Sequence, residues 1–163
     1  MAALTSFWAG TAPERHGASC ALWLARVTDD PDDDTAGLAA HYCSLYSQDG
    51  GCQAQWDALL SAVERKAKEG KIRSAQHAAA LGNVHKQQAA TAAQKQRALE
   101  VAKAIVQNQA NSEPARALAL DFVGEKDSGA EAFAKKFKDD ASEAVRGSAK
   151  RILEPGKAAA TGR

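Results

Sequence analysis

The large apolar residues recur along the chain at helical spacing, in groups separated by glycine, proline and acidic turns. Gly10, Pro13 and Gly17 in quick succession predict an irregular arm over residues 1–18. Leu22, Trp23 and Val27 then suit a short buried helix over 19–27. The run Asp29-Asp30-Pro31-Asp32-Asp33-Asp34 reads as a solvated turn, with Asp34 or Thr35 capping the next helix. That helix carries Leu38, His41, Tyr42, Leu45 and Tyr46 and ends at Asp49-Gly50-Gly51. Residues 53–69 form the clearest amphipathic helix, with Trp56, Leu59, Leu60 and Val63 on one stripe and Gly70 as its stop. A further helix is predicted from Lys71 through Ile72, Ala75, Ala79 and Leu81 to a break at Gly82-Asn83.

Residues 85–98 contain no large apolar side chain, so they predict a helix with nothing to anchor it. Leu99, Ala102, Ile105 and Val106 restore an apolar face. Ser112 then caps a helix that has Pro114 at its first helical position and Leu118, Phe122 and Val123 on one side. Phe133 and Phe137 mark another short helix; Val145, Ala149, Ile152 and Leu153 mark the last, before Pro155-Gly156. Strand alternation is missing throughout, so the expected fold is all-α: Ala-rich antiparallel helices behind an irregular N-terminal arm. The expected organisation is an acidic, aromatic arm with one short helix over 1–34, a helical domain over 35–156 and a loose tail over 157–163.

The last third repeats itself. Residues 112–123 and 142–153 both open Ser-Glu, and Arg116 falls opposite Arg146; a fainter copy begins at Lys71. Asp139/Asp140, Val145-Arg146, Ala149 and Leu153 resemble the second helix of HEAT-type helical repeats, over roughly residues 96–154. The resemblance implies two to three stacked helix pairs that present a surface to a partner. Two features depart from it: the 30-residue interval is short of the usual ~40, and a solenoid normally needs three or more repeats.

Composition changes what the apolar pattern means. Of 73 hydrophobic residues in 163, 38 are alanine, so the core is expected to be thin and to gain from a partner. Charge is also uneven. Residues 1–63 carry a net −6, residues 64–110 a net +6 and residues 111–163 a net +1. The basic middle is the one positive chemical signal. Arg65, Lys66, Lys68, Lys71, Arg73, Lys86, Lys95 and Arg97 are candidate partner-binding residues, with Lys103 beside them. Such a face suits phosphates, an acidic protein partner, or the acidic first third of the same chain. Phe7 and Trp8, in the N-terminal arm, are further candidates because they are hot-spot residue types.

Other chemistries find little support. Asp30, Asp32 and Asp34 lack the glycine and the glutamate that a calcium loop needs in register. His41 and Cys43 point about 200° apart on a helix, against shared zinc ligation. Gly70-Lys71 lacks the other residues of a phosphate loop. Residues 75–92 match a helix-turn-helix only in part, because His77, Asn83 and Gln88 take slots that should be aliphatic. Three cysteines, an odd number, are expected as reduced thiols in an intracellular compartment, with a Cys43–Cys52 bridge as the alternative. The cytoplasm is the default location. A transit-peptide-like bias in residues 1–28 keeps an organelle (mitochondrion or plastid) open, and no apolar run approaches the ~18 residues of a membrane span. The expected function is a non-catalytic interaction or scaffold protein, an accessory subunit or adaptor with protein partners, no cofactor and no catalytic or metal residues. The alternatives are nucleic-acid binding through residues 64–103 and an enzyme with a spatially assembled Cys/His site.

Overall fold

The computed structural model describes residues 13–45 and 52–155. Every regular element there is helical: α1 (Pro13–Asp29), α2 (Asp33–Leu45), α3 (Trp56–Lys68), α4 (Gln76–Lys86), α5 (Ala92–Gln107), α6 (Glu113–Lys126), α7 (Ala130–Ala134) and α8 (Glu143–Leu153). A 3-10 turn, Cys52–Gln55, leads into α3, and another, Lys135–Phe137, extends α7. The all-α expectation holds, and no described helix is long and apolar enough to cross a membrane. The expected break at Gly82-Asn83 does not occur, because α4 runs on to Lys86.

The helices form two rows. Helices α1, α3 and α5 neighbour one another in one row, and α2, α4, α6 and α8 in the other; α7 packs against α6 and α8. One buried cluster runs from Cys20, Trp23 and Val27 in α1 to Val145 and Ala149 in α8. Residues assigned to the arm therefore share the core of the helical domain, and the expected boundary at 34 falls inside α2.

Alanine proves to be the means of close packing. The buried face of α2 is Ala36, Gly37, Ala39, Ala40, Cys43 and Ser44, while Leu38, His41 and Tyr42 are only half-buried and Leu45 is exposed. The periodic stripe of large residues therefore does not mark the buried side. Small residues let α2 lie close on α4, which buries Ala78 and Ala80.

Residues 85–98 do not form one unanchored helix, correcting that expectation. Helix α4 ends at Lys86, and α5 starts after Thr91, whose hydroxyl accepts from Gln94 N while Gln94 Oε1 accepts from Thr91 N. This reciprocal capping box satisfies two N–H groups that a helix start otherwise leaves bare. Ala90, Gln94 and Ala98 are buried within this chain, and the His85 ring meets the Phe122 ring edge-on at 5.5 Å.

The cysteine expectation is also corrected. Cys20 and Cys52 form a disulfide, their Cα atoms 5.2 Å apart. Cys43 is the free, buried thiol. The bridge ties α1 to the segment that opens α3.

Candidate functional site

Four of the candidate cations, Arg65, Lys66, Lys71 and Arg73, line one hollow of about 530 Å³. Its other walls are Thr28, Asp30, Pro31, Asp33 and Glu69. Local folding explains the grouping. Helix α3 ends with Gly70 at φ 68°, where Gly70 N donates to Ala67 O and Lys71 N to Lys66 O, closing the helix on a left-handed residue. Asn108 Nδ2 covers Lys68 O at 2.9 Å, and Asn111 Nδ2 adds a second donor to Ala67 O at 3.0 Å. Asn111 Oδ1 also accepts from Ile72 N at 3.0 Å, and Ser112 N donates to Ile72 O at 2.8 Å. The loop that carries Lys71 and Arg73 is thereby pinned from both sides.

The centre of this region is Asp33, a residue expected in a solvated turn. The cap of α2 is Asp32, whose carboxylate accepts from Asp34 N, which frees Asp33 to turn inward. Its Oδ1 meets Lys66 Nζ at 2.9 Å and His77 Nε2 at 3.0 Å. Its Oδ2 accepts from Arg73 N at 2.7 Å and Ser74 N at 2.9 Å. Burial alone would raise its pKa. His77 and the N–H groups of Ser74 and Arg73 outweigh that and hold it well below the ordinary carboxylate range. The acidic first third thus does meet the basic middle within the chain, Asp33 pairing with Lys66. Lys66, buried and neutralised by Asp33, is a structural cation.

Arg65 and Arg73 are different. Both are exposed, and each guanidinium is steadied by a carbonyl: Arg65 reaches Thr28 O at 3.5 Å, and Arg73 reaches Ala110 O. Lys71 pairs with Glu69 at 2.8 Å. The remaining candidates lie elsewhere. Lys68 and Arg97 both contact Glu64, at 2.6 and 3.2 Å. Lys103 pairs with Asp127 at 2.7 Å. Lys95 is half-buried on α5, and Lys86 lines a different hollow. Phe7 and Trp8 lie outside the described residues.

A second surface was not foreseen. A cleft of about 1060 Å³ opens between α6, α7 and α8, and a smaller hollow of about 200 Å³ lies between α4 and α6. The two share Leu118, Asp121 and Glu125, so they form one surface across the second row. Leu118, expected on the packed side of α6, is 39% exposed at its centre. Asp121 is neutralised by Arg151 at 2.8 Å. Leu118 and Leu120 lie about 200° apart on the helix, and the spacing alone does not say which of the two faces the core; Leu120 is fully buried.

The thiol chemistry is quiet. Two cysteines are bonded to each other, and burial pushes the Cys43 thiol up to about 12, so it forms almost no thiolate at neutral pH. Burial lowers the pKa of both His41 and His85. Among the described residues, no three His, Cys, Asp or Glu side chains gather as a metal site. Comparison with protein-family models, with curated proteins and with solved structures gives no match for this chain.

Proposed function

We propose that the chain is a non-catalytic helical interaction module, an adaptor or accessory subunit whose paired helices stack in the HEAT-like manner and carry a protein partner. The observation that carries this reading is the open surface across α4, α6 and α8 with Leu118 exposed at its centre. An exposed leucine in a wide, shallow depression suits another chain better than a small molecule, which prefers a deeper enclosure. The buried, weakly acidic Cys43 thiol weighs against a thiol-based catalyst.

Nucleic-acid binding through residues 64–103 has less support, because it needs a continuous basic track. Lys68 and Arg97 are drawn to Glu64 and Lys103 to Asp127, while Lys86 sits in another depression. The Cys20–Cys52 disulfide favours an oxidising compartment over the reducing cytoplasm.

The test is chemical cross-linking of the tagged chain in native extract, followed by sedimentation. A faster-sedimenting assembly that disappears with Leu118→Arg, at unchanged melting temperature, is expected. A chain that sediments alone as a monomer overturns the reading.

A further inference from the structure

We propose that the hollow between the α1–α2 turn and the α3–α4 loop binds carboxylate side chains of an acidic protein segment. The inference rests on the interaction-module reading and gives that module a second contact of defined chemistry. The hollow's acids are already committed. Asp33 accepts from four donors. Asp30 pairs with Arg26 at 3.1 Å, and Glu69 pairs with Lys71.

The cations are not committed to the same degree. A guanidinium has five N–H donors in a planar fork that matches a carboxylate's two oxygens. The exposed Arg65 and Arg73 each give one hydrogen bond to a carbonyl, and among the described residues neither forms a salt bridge, although Arg65 is near enough to Glu69 to act on its charge. Those carbonyl contacts steady the side chains and reduce the entropy lost on binding. The backbone beneath them is pinned by the Gly70 turn and by Asn108, Asn111 and Ser112. About 530 Å³ is room for a few side chains of one segment.

Carboxylates fit better than phosphates. Asp30, Asp33 and Glu69 sit among the four lining cations, which leaves only a small positive excess. A phosphate polyanion gains its affinity from many released counterions, and so from many cations in a row. Spaced carboxylates need only the two guanidiniums.

The test uses the full chain and three fluorescent probes: a peptide of six Glu-Gly repeats, one of six Lys-Gly repeats, and a twelve-nucleotide thymidine strand. The glutamate peptide is expected to bind, to weaken with salt, and to lose about tenfold in affinity with Arg65→Ala/Arg73→Ala. Lys150→Ala, exposed on α8, should leave binding unchanged. If the double alanine variant melts early, Arg65→Lys/Arg73→Lys replaces it; this variant keeps the charge but loses the fork, and affinity should fall partway. Equal binding by either double variant and the wild type overturns the proposal, as does no binding at low salt. Tighter binding of the thymidine strand, lost in the same variant, overturns it in favour of nucleic acid. An assembly in native extract that survives Arg65→Ala/Arg73→Ala while the glutamate peptide fails to bind sinks this inference and leaves the interaction reading standing. Absence of any assembly removes the reading itself.

Discussion

Asp33 shows how one side chain can organise a region without announcing itself in sequence. It is one of five acids in a six-residue stretch, and only the fold separates it from the others. Its partners Lys66, Arg73, Ser74 and His77 lie 33 to 44 positions away. Replacing it by Asn removes the charge opposite a buried lysine, and breaking such a pair costs on the order of 3 kcal/mol. Asp33→Asn is therefore expected to lower the urea midpoint at neutral pH. The pH dependence has a definite sign. The native pKa lies below that of the unfolded chain, which is about 3.9. Its contribution is therefore complete above that value and fades as pH falls through the depressed native one. Wild type and variant should differ most near neutrality and converge in acid below about pH 4. A gap that persists unchanged into strong acid would show that the carboxylate charge is not the source. The same argument applies to Arg116, which donates to both oxygens of buried Asp140, at 3.1 and 2.5 Å. The sequence did mark both residues, through the repeat pattern, but not that they meet.

At the scale of elements, two helix starts were legible from a local signal. Ser112 and Ser142 cap α6 and α8, accepting from the backbone N–H three residues on. Thr91 and Gln94 carry the same kind of signal, Thr-x-x-Gln, but it lies inside a run of helix-forming residues that hides it. The pairing of Cys20 with Cys52 was not legible, because spacing alone leaves three cysteines three possible pairs. That bridge closes a loop over a sequence separation of 32 residues and fastens α1 to the start of α3. On chain-entropy grounds, a loop of this size stabilises the fold by about 3–4 kcal/mol. Reduction is expected to lower the melting temperature on the order of 10 °C, and Cys20→Ser/Cys52→Ser should match the reduced protein. Scanning calorimetry with and without a phosphine reductant checks this. A reduced wild type that melts with the oxidised one would show that the bridge adds nothing.

Across the whole molecule, the alanine excess led composition to suggest a thin core in want of more bulk. The two rows point the other way: where α2 meets α4, small residues are what let the helices approach. Gly37 makes the point measurable, because two effects oppose each other there. Helix propensity favours alanine over glycine by about 0.8–1.0 kcal/mol in a helix interior. A Cβ on Gly37, however, would lie 2.7 Å from both Cβ and Oγ of Ser74, and 3.2 Å from Gln76 Cβ. Ser74 is itself buried, its N–H is held by Asp33, and its hydroxyl accepts from Gln76 N. It cannot move aside without disturbing that network, and overpacking of this kind costs about 1–3 kcal/mol. Gly37→Ala should therefore destabilise despite its better propensity. Gly82 is the internal control. A Cβ there meets only Phe122 Cδ2, at an ordinary 3.8 Å, so Gly82→Ala should stabilise by up to about 1 kcal/mol. Urea denaturation of the two variants side by side reads the opposite signs directly. If both substitutions raise the midpoint, the seam between α2 and α4 has slack, and the composition-based picture of an underfilled core regains its force.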